Sequence, residues 1–155
     1  MLPRARIVVN TRAFFFEVRA CSGARIHLME NPDSLSSSVV VVIGDDFNTR
    51  TTISLPDGLS VGANTPNILS CEVSRKFWIS WENGQIRVGR GVPYEQIIVY
   101  HDFTHVVTLV GLSTGLLASG TWQFLHEEGS DISSPYNLLY LVLICANYKA
   151  LSAFG

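Results

Sequence analysis

The chain has 155 residues, of which 47% are hydrophobic and 15% are charged, and its formal net charge is −2. Because a typical soluble domain carries about 25% charged residues, this composition is the opposite of a disordered chain and predicts one folded domain with a substantial core. The 11 Lys and Arg residues are outnumbered by 13 Asp and Glu residues and form no run, which argues against nucleic acid as a partner. The longest apolar run, residues 138–146, is about half of the ~20 residues that a membrane-spanning helix needs.

Three segments in the first part of the chain show the period-two alternation of β-strands. Apolar and charged residues alternate over residues 14–19, except that Phe15 adds an aromatic ring on the outer side. Residues 24–29 alternate in the same way and predict a strand with one buried face. Residues 39–43 are apolar on both faces and β-branched throughout, which is typical of a central strand covered on both sides.

Turn-forming residues punctuate the chain at regular intervals. They are Cys21-Ser22-Gly23, Asn31-Pro32-Asp33, Pro56-Asp57-Gly58, Asn64-Thr65-Pro66, Asn83-Gly84 and Gly91-Val92-Pro93. Convincing helical periodicity is absent between residues 13 and 125. Many short strands at this spacing predict an all-β fold, either an antiparallel sandwich or a barrel. We favour the antiparallel β-sandwich and expect a jelly-roll-like arrangement.

The clearest local prediction is a hairpin over residues 77–89. Two alternating runs are joined by Asn83-Gly84, the dipeptide that best fits a type I′ turn because both central residues need positive φ. This turn fixes five facing pairs. They are Glu82 with Gln85, Trp81 with Ile86, Ser80 with Arg87, Ile79 with Val88 and Trp78 with Gly89. An indole opposite a glycine either covers bare backbone or forms a flat platform for a ligand.

The pattern changes after residue 125. Residues 126–134 are polar, and the apolar segment 136–155 that follows has no clean alternation. Its centre, residues 138–144, is compatible with a last strand, and the whole stretch with a short helix, because periodicity does not separate the two for such a run. We therefore expect an irregular apolar C-terminal tail.

No arrangement of residues predicts catalysis, a metal site or a cofactor. A nucleophile elbow, in which a G-x-S-x-G sequence joins a strand to a helix, is not predicted, because no segment between residues 13 and 125 shows helical periodicity. His101 and Asp102 are strand neighbours whose side chains point to opposite faces. The three cysteines lie 50 and 74 positions apart, whereas a structural zinc site uses close pairs. Residues 44–48 resemble an acidic cation loop without the ligands of an EF-hand, and we expect a strand-ending turn there.

The aromatic residues and their polar neighbours are the remaining candidates for a binding site. We expect most of the large aromatic side chains in the core. An exposed Trp beside Arg, Asp and Asn is the usual chemistry of sugar or peptide recognition, because the ring packs on C–H faces while polar groups bind hydroxyls or amides. The candidate ligand-binding residues are Trp78, Arg87, Asp46, Asn48 and Asp102.

Several segments together resemble the farnesoic acid O-methyltransferase-like domain. The resemblance covers residues 13–125, and its most specific part is the Phe-Trp-Ile-x-Trp hairpin with the glycines that follow. The segments that carry it are Phe14 to Cys21, Val42-Ile43-Gly44 with Asn48, Leu69-Ser70-Cys71, Phe77 to Gly89, and Val110 to Gly115 with Trp122. On this resemblance the chain divides into an N-terminal extension (1–12), the β-sandwich domain (13–125) and a C-terminal tail that is atypical for the family (126–155).

The family name implies transfer of a methyl group from S-adenosylmethionine to a carboxylate. Such enzymes generally use an α/β domain with a glycine-rich loop after the first strand, and this sequence shows neither. We therefore expect a non-catalytic module that binds a glycan or a protein partner. Methyl transfer to a terpenoid carboxylate and a structural spacer role are the alternatives.

The same domain also occurs as a module in α2-macroglobulin-like secreted proteins related to complement components. In that context the resemblance implies a disulfide between Cys21 and Cys71 in an oxidising compartment, with Cys145 left over. It also implies secretion. Because the chain as given carries no signal peptide, we expect secretion as part of a longer parent protein. An isolated isoform would instead be cytoplasmic.

Overall fold

The computed structural model describes residues 5–8, 11–31, 33, 37–115, 120–125, 142–146 and 149–153, with backbone alone for 5–8, 124–125, 142–146 and 149–153. The described residues form short strands and one helical turn. In chain order they are β1 (Ala5–Val8), β2 (Ala13–Ala20), β3 (Ala24–Met29), β4 (Val39–Gly44), α1 (Asp45–Asn48), β5 (Arg50–Ser54), β6 (Ser60–Asn64), β7 (Arg75–Glu82), β8 (Gln85–Arg90), β9 (Ile97–Asp102), β10 (Leu109–Thr114), β11 (Gly120–Leu125), β12 (Val142–Ala146) and β13 (Lys149–Ala153).

These strands form two antiparallel sheets that pack against each other, which confirms the all-β sandwich. One sheet has the order β1-β10-β3-β4-β5-β6, and the other has the order β13-β12-β11-β2-β7-β8-β9. Two meanders, β3 to β6 and β7 to β9, supply most of the consecutive pairs. The connections from β11 to β12 and from β12 to β13 also stay within one sheet, and the others cross from one sheet to the other, so that both sheets contribute to one core.

The core consists of the inward-facing residues of both sheets, which alternate along each strand as the pleat requires. Phe16 lies at its centre, with ring centres 5.9 Å from Phe77 and 5.6 Å from Trp122. The other large and fully buried side chains of this core include Val18, Ile26, Ile43, Ile53, Ile79, Ile86 and Leu112. Residues of the opposite parity form the two outer faces, one of which carries most of the candidate site.

The predicted hairpin is confirmed pair by pair. β7 and β8 have the five facing pairs that the Asn-Gly turn predicts, from Glu82 opposite Gln85 to Trp78 opposite Gly89. Asn83 and Gly84 have φ values of 56° and 71°, so both central residues adopt the positive φ of a type I′ turn. A tight two-residue loop therefore sets this register locally.

The prediction that β3 has one buried face is wrong. His27 and Met29 lie on the face away from the core, yet both side chains are buried. His27 faces Val40 on one side and Gly111 on the other, so its immediate neighbours in the sheet are small or apolar. The outer face of the six-stranded sheet is covered here, as the all-apolar pattern of β4 predicted.

The N-terminal and C-terminal parts of the chain contribute strands to the sandwich. β1 pairs with β10, and β12 pairs with both β11 and β13. Residues 142–146 and 149–153 are extended, so the described part of the tail is strand and the helical alternative is wrong there; residues 126–141 lie outside the described part. The domain boundaries at 13 and 125 remain a prediction.

A disulfide joins Cys21 to Cys71, as the family resemblance implied. It ties the turn between β2 and β3 to the connection between β6 and β7, and thus links the two sheets at one end of the sandwich. Among the described residues, no helix is long and apolar enough to cross a membrane.

Candidate functional site

Three of the five candidate residues share the outer face of the seven-stranded sheet. Residues that face each other across an antiparallel pair point to the same side, as do alternate residues along a strand. Trp78 faces Gly89, which lies two positions from Arg87 on β8. Gln85, two positions from Arg87 in the other direction, faces Asp102 on β9. Trp78, Arg87 and Asp102 therefore lie on one surface, the outer side of β7, β8 and β9, which we call the hairpin face.

Trp78 is not an exposed platform. Its side chain is 1% exposed and occupies the space above Gly89, where a Cβ atom would lie 2.2 Å from the indole Cε2. The Tyr94 ring covers the indole, with ring centres 5.6 Å apart, and Trp78 Nε1 donates a hydrogen bond to the Glu95 carbonyl oxygen at 2.8 Å. Of the two interpretations of the Trp78–Gly89 pair, the geometry favours an indole that covers bare backbone over a platform for a ligand, because the 91–96 loop lies over the ring.

The 91–96 loop folds back onto the sheet with an unusual backbone. Gly91 N donates a hydrogen bond to the Lys76 carbonyl oxygen at 2.9 Å. Tyr94 and Gln96 have φ values of 65° and 47°, in the left-handed region that residues other than glycine rarely adopt. This conformation lets the Tyr94 ring meet Phe15 edge-on at 5.9 Å. Tyr94 stays 45% exposed, so it forms the aromatic surface at this end of the hairpin face.

The most accessible aromatic ring of the hairpin face is Tyr100. It faces Arg87 across β8 and β9, and its side chain is 61% exposed. Arg87 is half-buried, and its Nε donates a hydrogen bond to Gln85 Oε1 at 2.6 Å. Gln85 in turn faces Asp102. A phenol ring thus stands beside a guanidinium, an amide and a carboxylate, which is the combination that sugar recognition uses.

A buried hydroxyl group lies on the same face beside Arg87. Ser80 faces Arg87 on β8 and Ala13 on β2, and its side chain is 1% exposed. The Ser80 Oγ atom has no hydrogen-bond partner among the described residues. Because a buried polar group without a partner costs about 1–3 kcal/mol, such a group calls for an explanation.

An open cleft of about 310 Å³ adjoins the hairpin face at its Asp102 end. This volume is at the lower end of the roughly 300–1,000 Å³ typical of ligand pockets. The cleft lies between the turn after β5 and the segment after β9. Its lining residues are Leu55, Pro56, Asp57, Asp102, Phe103, Thr104 and His105. Because Asp102 belongs to both surfaces, a ligand on the hairpin face can extend into the cleft.

The other two candidates, Asp46 and Asn48, lie at the opposite end of the sandwich. They belong to the turn that precedes β5, whereas the cleft beside Asp102 includes the turn that follows β5. The five residues of β5 separate the two turns by about 17 Å at the usual rise of a strand. The structure therefore does not bring Asp46 and Asn48 to the hairpin face.

The turn between β4 and β5 is tightly held and left-handed. Asp46, Phe47 and Asn48 have φ values of 48°, 58° and 64°, and each such residue costs roughly 1–2 kcal/mol unless its side chain favours the conformation. The Asn48 side chain donates to the Leu69 carbonyl oxygen at 2.9 Å and accepts from the Leu69 N–H at 3.0 Å. Thr49 Oγ1 donates to the Asp46 carbonyl oxygen at 2.6 Å. These contacts fix the backbone and leave Phe47 94% exposed.

The Asp45 carboxylate binds to the backbone of this turn and to β5. Asp45 Oδ1 accepts a hydrogen bond from the Asp46 N–H at 2.9 Å, and Asp45 Oδ2 accepts one from Thr52 Oγ1 at 3.3 Å. Within the described ranges, no group of three His, Cys, Asp or Glu side chains is placed to bind a metal ion. The carboxylate of Asp45 thus stabilises the strand-ending turn.

A buried pair, His27 and Ser113, lies on the outer face of the six-stranded sheet. His27 Nε2 and Ser113 Oγ share a hydrogen bond of 3.3 Å, while His27 Nδ1 has no partner among the described residues. Burial, and next the nearby Arg25 charge, lower the pKa of His27 from 6.5 to about 4. A nucleophile and base need access to substrate and an imidazole that accepts a proton near neutral pH. This pair is better explained as a structural contact.

Sequence patterns do not single out Tyr100 or Phe47. Tyr100 belongs to a strand whose pairing with β8 shifts between Val88 and Gly89, so its face does not follow from the hairpin register. Phe47 is accessible because of its backbone conformation, and an aromatic residue between Asp46 and Asn48 is the only available signal. In similar sequences, an aromatic residue between Asp and Asn in a turn is thus a pattern whose exposure is worth testing.

Comparisons with known proteins support the resemblance. The family model described as "Farnesoic acid 0-methyl transferase" matches residues 2–128. A mollusc protein, "Uncharacterized protein 5" of Haliotis asinina, is 32% identical over 97 residues, which cover 60% of this chain and 56% of that protein. The aligned region thus spans just over half the length of that relative. No solved structure matches the chain.

Proposed function

This chain belongs to the farnesoic acid O-methyltransferase family, and within that family we propose that it is a non-catalytic recognition module that binds carbohydrate through the hairpin face. The observation that carries the proposal is the exposed Tyr100 ring in register with Arg87. Gln85 and Asp102 lie next to them on the same face. The cleft beyond Asp102 extends the surface available to a ligand.

The chemistry of this surface suits a sugar. A tyrosine ring offers a flat apolar surface for the C–H face of a pyranose, and it loses little conformational entropy because it has few rotatable bonds. Arg87 and Gln85 supply N–H donors, and Asp102 supplies acceptor oxygens for hydroxyl groups. Since Gln85 fixes the Arg87 guanidinium, part of this site is ordered before a ligand arrives.

The test is glycan-array screening of the purified chain, followed by calorimetry with any bound glycan. We expect Tyr100→Ala to weaken binding by about tenfold, because loss of a stacked ring removes on the order of 1.5 kcal/mol or more. Val106→Ala is the matched control, since Val106 is an exposed apolar residue between β9 and β10. A blank array, or equal binding by wild type and Tyr100→Ala, would contradict the proposal.

Protein recognition is the second candidate function, and the exposed Phe47 ring favours it. A strained backbone persists only where its surroundings hold it, and such strain is concentrated at functional sites. Here, the hydrogen bonds of Asn48 and Thr49 hold the turn in a conformation that leaves the Phe47 ring exposed, although large aromatic rings are usually buried. Because Asp45 and Asp46 precede Phe47, the partner would present an apolar pocket bordered by cationic side chains.

A comparison of wild-type and Phe47→Asn baits tests this candidate. A partner isolated with the wild-type chain is purified and titrated against both baits by calorimetry. Loss of a buried aromatic anchor weakens such a complex by about thirtyfold or more, since interface anchors contribute ~2 kcal/mol or more. Equal affinity for the two baits would assign the interaction to another surface.

Methyl transfer, the activity in the family's name, is separated from recognition by titration with S-adenosylmethionine. Stoichiometric binding in a calorimeter would favour the enzyme, and no heat at high micromolar cofactor would favour recognition. A structural spacer would bind neither glycan nor cofactor. The Cys21–Cys71 disulfide supports a further proposal, secretion as part of a longer protein, because disulfides persist in oxidising compartments. An α2-macroglobulin-like parent belongs to this proposal on the family resemblance alone.

A further inference from the structure

The hairpin face carries a cation, Arg87, that forms no ion pair with an acidic group of the described residues. The described acidic side chains form no ion pair with Arg87, whereas Lys76 on the same sheet pairs with Glu17 at 3.8 Å. Glu82 and Asp102 both face Gln85. Gln85 lies two residues before Arg87 on β8, so neither acidic residue lies directly opposite Arg87. Arg87 Nε instead donates its hydrogen bond to the neutral amide of Gln85.

Arg87 and its neighbour Ser80 have hydrogen-bond donors that the described residues leave without a partner. A guanidinium has five N–H donors, and the bond to Gln85 uses one of those of Arg87. Four donors are left without an acceptor among the described residues. The Ser80 hydroxyl, which faces Arg87, is a further buried donor without a partner. A ligand that pairs with the remaining Arg87 donors must itself be rich in acceptors.

We propose that the ligand of the hairpin face is an acidic glycan, whose carboxylate or sulfate group binds the Arg87 guanidinium beside Tyr100. This inference rests on the proposed carbohydrate function and names the chemical class of its ligand. Arginine binds planar and tetrahedral oxyanions through paired N–H donors. The Tyr100 ring then packs on the sugar that bears the charge, and Asp102 takes hydroxyl groups further along the ligand.

The fixed charges of the neighbourhood set where the anion binds. The two carboxylates beside Gln85 repel it from that side, so it binds at the Arg87 guanidinium on the side away from Gln85. Because the chain as a whole has a net charge of −2, general electrostatic attraction to a polyanion is absent. Binding of an acidic glycan must therefore depend on this local group of donors.

The experiment is surface plasmon resonance with the purified chain over immobilised matched polysaccharides. The sulfate arm compares heparin with its desulfated form, and the carboxylate arm compares polygalacturonate with its carboxyl-reduced form. We expect one acidic polymer to bind at least about tenfold more tightly than its matched neutral or less charged form, because hydrogen bonds between charged groups contribute ~1.5–3 kcal/mol.

The variants locate the binding group. Arg87→Gln should reduce binding of the acidic polymer to the level of its matched control, and Arg87→Lys should retain part of it as a point charge. Arg90→Gln, which removes the same charge from the same strand, should change affinity by less than about twofold. Thermal midpoints of all variants verify folding, and the Arg87→Lys result decides the question should Arg87→Gln not fold.

The outcomes separate this inference from the proposed function. Equal binding of the acidic and matched polymers, still abolished by Tyr100→Ala, would leave carbohydrate recognition standing and overturn the acidic ligand. An equal loss of binding in Arg87→Gln and Arg90→Gln would overturn the specific role of Arg87. Failure of all four polymers to bind would overturn the acidic ligand, and a blank glycan array as well would overturn both.

Discussion

Trp78 and Gly89 face each other across the hairpin, and the indole occupies the space where a side chain at position 89 would stand. The Nε1, Cε2 and Cζ2 atoms of the indole would lie 2.2–2.4 Å from a Cβ atom there. The 91–96 loop then covers the outer side of the ring through Tyr94 and the Glu95 carbonyl oxygen. One residue without a side chain thus allows a large ring to lie flat on the sheet.

Gly89→Ala is expected to destabilise the protein by about 1–3 kcal/mol, the usual cost of overpacking a filled site. Guanidinium denaturation of wild type and variant measures this loss. In a double-mutant cycle with Trp78→Phe, the smaller ring should relieve the clash and give a coupling energy of about 0.5–3 kcal/mol. An unchanged denaturation midpoint for Gly89→Ala would show that the indole does not lie over position 89.

Asn48→Asp is expected to lower the free energy of unfolding by about 1–3 kcal/mol. The Asp side chain keeps the acceptor for the Leu69 N–H but cannot donate to the Leu69 carbonyl oxygen, which loses its partner. Asn67→Asp is the matched control, because Asn67 also has a positive φ of 56° but is exposed. Equal urea midpoints for the two variants would argue against the anchoring role of Asn48.

Phe47→Asn is expected to raise the free energy of unfolding by about 0.5–1 kcal/mol. The Phe47 ring is exposed and contributes little packing, whereas asparagine adopts the left-handed conformation at a lower cost. Thermal denaturation measures the change, and Val106→Asn, at an exposed position in the segment between β9 and β10, is the control. A destabilised Phe47→Asn would mean that the ring supports the fold rather than a partner.

Acid is expected to destabilise the protein through His27. The folded pKa of about 4 lies below the unfolded value of 6.5, so protonation favours the unfolded chain. The contribution of His27 is fully present above pH 6.5 and is lost as pH falls towards 4, on the order of 3 kcal/mol in total. Urea midpoints from pH 4 to 7 should fall less steeply for His27→Gln, and parallel curves would refute this role.

Removal of the Cys21–Cys71 disulfide is expected to lower stability by about 2–4 kcal/mol. The bond closes a loop with a sequence separation of 50 residues, and its loss enlarges the unfolded ensemble. Reduction should lower the thermal midpoint of wild type and leave that of the Cys21→Ser, Cys71→Ser double variant unchanged. A midpoint of wild type that is insensitive to reductant would indicate free thiols.

The sequence by itself determined the features that depend on neighbours along the chain. Alternation of apolar residues identifies the strands, because successive side chains of a strand point to opposite faces. The Asn83-Gly84 turn fixes the register of β7 and β8 because a two-residue loop leaves no freedom between the strands. These local rules predict the all-β sandwich and place Trp78 and Arg87 on one outer face.

Tertiary structure alone decided which side chains are accessible. Trp78 is buried because the 91–96 loop returns over it, and Tyr100 faces outward because the pairing of β8 and β9 shifts at Gly89. Phe47 is exposed because Asn48 bonds to Leu69, which is 21 residues away along the chain. Contacts between distant segments have no periodicity to reveal them, so the positions of the exposed rings could be known only from the folded chain.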